Sequence, residues 1–146
     1  MARAKSIAKH SDQWLIWCNS MSSSDRSKTG SSRNQAQGKT FENLAAKFYQ
    51  EQDFDIIERN WRAGHKEIDL IVKRGNLMVF VEVKSTYSKK FGHPAERVDQ
   101  KKISNLTKAA EQYLVANSIE NTDLRFDVVT FVNGQLEHFP DAFSAE

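Results

Sequence analysis

The stretch KEIDLIVKRGNLMVFVEVK, residues 66–84, holds two runs of strand-forming residues around Gly75-Asn76, with Asp69 near the start of the first run and Glu82-x-Lys84 near the end of the second. Glycine supplies the positive φ that a two-residue hairpin turn needs, so the runs are expected to fold back on each other. Side chains alternate along a strand. Glu67, Asp69 and Ile71 are therefore expected on one face of the first strand, and Met78, Phe80, Glu82 and Lys84 on one face of the second. If Gly75-Asn76 forms the turn, Arg74 pairs with Leu77 and Asp69 lies opposite Glu82. If Arg74-Gly75 forms it, Asp69 faces Phe80 and Glu67 faces Glu82. Either register leaves acids on one face, and only a bulged three-residue loop would shift the set by one.

Opposed side chains on paired strands stand about 4.5–5.5 Å apart at Cβ, where like charges repel. The apolar flanks of Leu77 to Val83 on both faces indicate a central strand covered from both sides, and buried acids are costly unless something offsets them. Mg²⁺ would, because it takes a hard oxygen shell from one or two carboxylates together with waters and phosphate. Lys84 follows Glu82 by two residues, about 6.6 Å along the same face. A cation there can orient a water or offset charge on a phosphoryl oxygen. The competing interpretation is an amphipathic hairpin whose wet face pairs Glu82 with Lys84.

Outside the hairpin, charge is segregated: +5 over residues 1–40, −4 over 41–58, +7 over 59–108 and −6 over 109–146. The basic segment contains the hairpin and suits a polyanion such as nucleic acid, with solvated lysines balanced by acidic neighbours as the alternative. Cys18 is the single cysteine, which excludes a disulfide framework and favours a reducing, cytoplasmic setting. His10, His65, His93 and His138 show no helical metal-ligand spacing. No run is long enough for a membrane span, and Trp14 to Cys18 is too short for a signal-peptide core.

Residues 1–37 are Ser-rich, basic and without periodicity, and are expected to be disordered, with Met21 a candidate translation start. A domain spanning 38–146 follows. Thr40 is expected to N-cap a helix carrying Phe41, Leu44, Ala45 and Phe48 as one apolar stripe, with Glu42 beside it. A first strand is expected over 54–62, and Ala63-Gly64-His65 as its turn. After a loop through Ser85 to Pro94, Val98, Lys102, Leu106, Ala109, Ala110, Tyr113 and Leu114 recur at helical spacing. Leu124 to Val132 forms a strand, Asn133-Gly134 a hairpin turn, and Gln135 to Phe139 an edge strand stopped by Pro140. The order αβββαββ implies an α/β fold with a mixed central sheet flanked by helices.

An acid on the first helix, then Asp, a hairpin turn and Glu-x-Lys resembles the core of the PD-(D/E)xK nuclease superfamily, which includes restriction endonucleases and archaeal Holliday-junction resolvases. More narrowly, the chain resembles the YraN family of uncharacterised predicted endonucleases, from about Gly38 to Phe143. The likeness runs through Phe41-Glu42-x-x-Ala45-Ala46, Arg59-Asn60, Glu67-Ile68-Asp69-Leu70-Ile71, Val79 to Lys84, Phe91-Gly92, Val98-x-x-x-Lys102, Arg125 to Val129 and Asp141-Ala142-Phe143. It departs at Lys66, where the family usually has Gly, and at Thr86, where a basic residue is common.

The resemblance implies a restriction-endonuclease-like fold and a metal-dependent phosphodiesterase. Asp69 and Glu82 would ligate Mg²⁺ or Mn²⁺, with Glu42 completing the acidic shell, and Lys84 would position the attacking water. Lys102 would approach phosphate or the site, in contrast to a lysine that merely snorkels from a packed helix. Arg62, Lys66, Lys89, Lys90 and Lys102 are the expected nucleic-acid contacts. Asp127, inside an apolar strand, is expected to be a structural hydrogen-bonding carboxylate. The expected partners are DNA and, for cleavage of two strands, a second copy of the chain. A nucleic-acid-binding module that does little chemistry and an α/β interaction domain with structural acids are the competing functions.

Overall fold

The computed structural model describes residues 30–86 and 100–143. Within them the elements are α1 (Gly30–Gln50), β1 (Asp55–Ala63), β2 (Lys66–Arg74), β3 (Leu77–Thr86), α2 (Gln100–Ala116), β4 (Asp123–Val132) and β5 (Gln135–Phe143). The strands form one sheet in the order β1-β2-β3-β4-β5. Only β3 and β4 pair in parallel, joined by the crossover that contains α2, and the sheet is mixed as the sequence implies. This αβββαββ arrangement is consistent with a restriction-endonuclease-like core.

The two helices cover opposite faces, which buries β3 from both sides. Leu44, Ala45, Ala46 and Tyr49 of α1 pack with Leu70, Val72, Val79, Val81, Val129 and Phe131, and Phe41 stacks on Phe131 at 4.5 Å between ring centroids. Leu106, Ala109, Ala110 and Tyr113 of α2 pack with Ile71, Met78, Phe80 and Phe126. Each fully buried aliphatic or aromatic side chain contributes about 1.5–3 kcal/mol. Both helices end alike. Asp53 (φ 66°) follows α1 and Ser118 (φ 52°) follows α2, each in the left-handed region. Phe54 N–H then donates to the Tyr49 carbonyl and Ile119 N–H to that of Leu114, while Tyr49 and Phe54 meet edge to face at 5.4 Å. That is the six-to-one bond and apolar contact of a Schellman terminator.

Three sequence expectations are corrected. Thr40 is inside α1 and its hydroxyl bonds the Ala36 carbonyl at 2.9 Å, so it caps nothing. The helix reaches back to Gly30, because a packed C-terminal half lets it propagate through polar residues once nucleated. Pro140 does not stop β5, which continues to Phe143. An edge strand tolerates a residue without N–H, and the irregularity between the Phe126–Phe143 and Val128–Phe139 pairs, with Asp141 at φ 54°, absorbs it. The first strand starts at Asp55, with Phe54 buried in the core. Val98, Phe91 and Gly92 lie outside the described residues.

Candidate functional site

Arg74 pairs with Leu77 and Lys73 with Met78, so Gly75-Asn76 is the turn and the first of the two registers holds. Gly75 alone takes a positive φ, 58°, as a type II′ turn requires at its first position. The ladder runs to the Leu70–Val81 pair. Beyond it Asp69 Oδ2 accepts a hydrogen bond from the Val83 backbone N–H at 2.8 Å, a side chain bridging to the partner strand where the backbone pairs have ended. This brings Asp69 beside Glu82.

Glu82 is buried, at 6% exposure, on the face that α2 covers. Its Oε1 receives the Lys102 ammonium at 3.0 Å, so the lysine on α2 reaches Glu82. Its Oε2 is buried and has no hydrogen-bond partner. A carboxylate oxygen in that state costs free energy on the order of 1–3 kcal/mol. Burial first, and then the charge of Glu82, push the Asp69 carboxyl well above the ordinary carboxylate range, to about 8; Glu42 adds to this, while the Val83 N–H and Lys102 oppose it. Burial works against the Lys102 charge, but Glu82 and Asp69 outweigh it, so the ammonium is held above its ordinary value.

Glu42 projects from α1 and its Oε2 accepts a hydrogen bond from Asn60 Nδ2 at 3.1 Å. Among the described residues no three His, Cys, Asp or Glu side chains gather into a ready metal cage, so Glu42 is near Asp69 without completing one. Lys84 sits across from Thr130 of β4, whose hydroxyl is buried without a hydrogen-bond partner. Arg62 and Lys66 lie at the β1–β2 turn, at the end of β2 that carries Asp69; Arg62 reaches Glu67 at 3.6 Å from an exposed position. At about 3.3 Å per residue, Lys66 is roughly 10 Å along the strand from Asp69. Lys89 and Lys90 lie outside the described residues.

Other basic residues of the chain serve the fold. Arg59 donates to Asn43 at 2.7 Å, and Arg74 to the Gln52 carbonyl at 2.8 Å while lying 4.3 Å over the Phe54 ring. Arg125 is bidentate to Asp127, at 2.8 and 2.9 Å. Asp127 is fully buried and also accepts from Tyr49 Oη at 2.8 Å and the Asp141 N–H at 3.0 Å, with His138 Nε2 at 2.8 Å. It is the structural carboxylate the sequence suggested, and it ties α1, β4 and β5 together.

Sequence reasoning gave no role to two residues here, although Asn60 belongs to the Arg59-Asn60 segment of the resemblance. Asn60 carries φ 51° within β1, and its signal was an asparagine, favoured in left-handed backbone and disfavoured in strands. Thr130 gave no signal, because a threonine in an apolar strand is unremarked.

The strict alternation expected for Glu67, Asp69 and Ile71 also fails. Ile68 and Ile71 pack in the same layer, beside α2, which three residues of regular strand forbid. The break falls between the Arg59–Leu70 and Trp61–Ile68 pairs, the interval occupied by Asn60 and Asp69. A left-handed residue in one strand turns the side chains that follow it to the other face.

Compared with known proteins, residues 41–131 match the family model described as "Uncharacterised protein family UPF0102". A UPF0102 protein of Sulfurihydrogenibium sp. is 37% identical over 109 residues, covering 75% of this chain and 95% of the relative. One from Chloroherpeton thalassium is 42% identical over 99 residues, 68% of this chain and 77% of the relative. One from Hahella chejuensis is 42% identical over 110 residues, 73% and 89% respectively.

Proposed function

From its place in the uncharacterised protein family UPF0102, the YraN family, to which this chain belongs, we propose that the protein is a divalent-metal-dependent endonuclease hydrolysing phosphodiester bonds in DNA, branched or damaged DNA included. The observation that carries this reading is Glu82: a buried carboxylate beside Asp69 with one oxygen left without a partner. Native interiors satisfy nearly all their polar atoms, and an exception calls for an explanation, which a bound ion would supply here.

The donor set fits Mg²⁺ or Mn²⁺, which prefer carboxylate oxygens and keep waters. Asp69 and Glu82 would hold the ion, with Glu42 added from α1. When bound, it supplies Lewis-acid stabilisation of phosphoryl oxygens and a water of lowered pKa. Lys84 holds and orients the attacking water. Lys102, paired with Glu82 in the described structure, can turn to a phosphate oxygen once that charge is shared. Arg62 and Lys66, with Lys89 and Lys90, offer phosphate contacts that position the backbone without reading sequence. Among the described residues no helix is long and apolar enough to cross a membrane. A reducing, cytoplasmic setting fits the single cysteine, and a homodimer would serve cleavage of both strands.

The test is isothermal titration of Mn²⁺ into wild type and the Asp69→Asn/Glu82→Gln double variant, with cleavage of a branched DNA assayed in parallel. Metal uptake and cleavage, both lost in the double variant, are expected. Absence of metal uptake by wild type with DNA present overturns the reading.

A second reading is a nucleic-acid-binding module with little catalysis. It is favoured by the Lys102–Glu82 pair, which neutralises the acid without a metal. DNA binding that survives EDTA and Asp69→Asn, with no cleavage of any substrate, distinguishes it.

A further inference from the structure

Arg59 and Asn60 are neighbours on β1, and in a regular strand their side chains would leave by opposite faces. Both nevertheless bond the same turn of α1: Arg59 donates to Asn43 at 2.7 Å, and Asn60 to Glu42 at 3.1 Å. The left-handed backbone of Asn60 allows it, at the place where the alternation of β1 and β2 breaks and next to Asp69 in the ladder. Non-glycine residues at positive φ are uncommon, and inside a strand such a conformation persists only when its surroundings demand it. Asn60 is also exposed, so burial of its own side chain does not explain the conformation.

We propose that Asn60 is a positioning residue: its amide aims the Glu42 carboxylate toward the Asp69–Glu82 pair, making the acid on α1 available to a bound divalent cation. The inference rests on the metal-site reading above. One carboxylate oxygen of Glu42 is bonded to the Asn60 amide, and Asn60 lies across from Asp69, both held between the Arg59–Leu70 and Trp61–Ile68 pairs. A group that bonds a ligand's second oxygen fixes the ligand's orientation, and loss of such a partner typically costs about 10–100-fold in metal affinity.

The experiment is titration of Mn²⁺ into wild type, Asn60→Gly, Asn60→Asp, Glu42→Gln and the Asn60→Gly/Glu42→Gln double variant, with a thermal melt of each. Glycine accepts the left-handed backbone and removes only the amide. Aspartate keeps size and backbone preference but replaces the donor with an acceptor. The expected result is a metal affinity about 10-fold or more weaker in Asn60→Gly and Asn60→Asp, with the Asn60→Gly melt unchanged and no further loss on adding Asn60→Gly to Glu42→Gln. Wild-type affinity in Asn60→Gly overturns the positioning role while leaving the metal site standing. A loss that adds fully to that of Glu42→Gln overturns it as well, since the amide would then act elsewhere. No uptake of Mn²⁺ by wild type overturns both the role and the site it serves.

Discussion

The Asp69 carboxylate and the Val83 backbone N–H are joined by a 2.8 Å hydrogen bond across two strands whose ladder ends at Leu70–Val81. Asp69 is thereby fixed beside Glu82, and two acids share one partly dry end of the sheet.

The first prediction concerns the metal-free protein. The Asp69 carboxyl is raised from 3.8 to about 8 by burial and by Glu82. The folded state therefore holds this proton more tightly than the unfolded chain does. The stability it contributes is complete below the unfolded value and is lost as pH rises toward the folded one. In EDTA, wild type is expected to melt at progressively lower temperature from about pH 4 to about pH 8 relative to Asp69→Asn, whose neutral amide can still accept from Val83. Above pH 8 Asp69→Asn should be the more stable by on the order of 1 kcal/mol or more. A wild type more stable than Asp69→Asn at pH 9 in EDTA contradicts this.

Lys102 gives the second. Lys102→Met removes the cation from a buried acid that already has one unpartnered oxygen, and should cost about 1–3 kcal/mol in EDTA. Mn²⁺ should restore the melt, stabilising this variant more than wild type, because the ion replaces the lost charge. Differential scanning fluorimetry with and without Mn²⁺ reads both effects, and equal shifts in the two proteins would separate Lys102 from the metal site.

The third lies at Asp127. Burial opposes its ionisation, but hydrogen bonds and charge from His138 and Arg125 prevail and hold its carboxyl below the ordinary value. This stability is present above the unfolded carboxylate value and is lost as pH falls through the folded one. Tyr49→Phe should cost about 1 kcal/mol. Asp127→Ala, which leaves Arg125 and His138 without their acceptor, should cost about 3–5 kcal/mol and flatten acid unfolding below about pH 4. Chemical denaturation between pH 3 and 7 measures both, and neither variant is expected to change Mn²⁺ affinity.

Much of this architecture is legible in the chain. Gly75 marks the hairpin turn but leaves two registers open, between which the Arg74–Leu77 pair decides; the two-sided apolar run of Leu77 to Val83 marks the central strand, and Asp127 reads as structural. The misreadings share a cause. Thr40 and Pro140 carry strong local preferences that tertiary packing overrides, one inside a helix held by its apolar stripe, the other on an edge that needs no donor. Asn60 was hidden for the opposite reason: its effect is non-local, setting which face Trp61 and Ile68 take and which helix side chain it holds. The Lys102–Glu82 contact was visible only as a spacing until α2 was laid on the sheet.

The parallel pairing of β3 with β4 sets an order of assembly. The β1–β2–β3 meander closes through two short turns, whereas β4 joins only after the chain from Thr86 to Asp123 has looped back, an entropic cost paid before any contact rewards it. The paired acids thus belong to the part of the chain able to form early, and Asp127 reaches Tyr49 only once the long loop has closed. In stopped-flow refolding, Gly75→Ala, forced into positive φ at the local turn, should chiefly slow folding, while Tyr49→Phe should chiefly speed unfolding. The putting together of the acidic pair would then precede the locking of the domain around it.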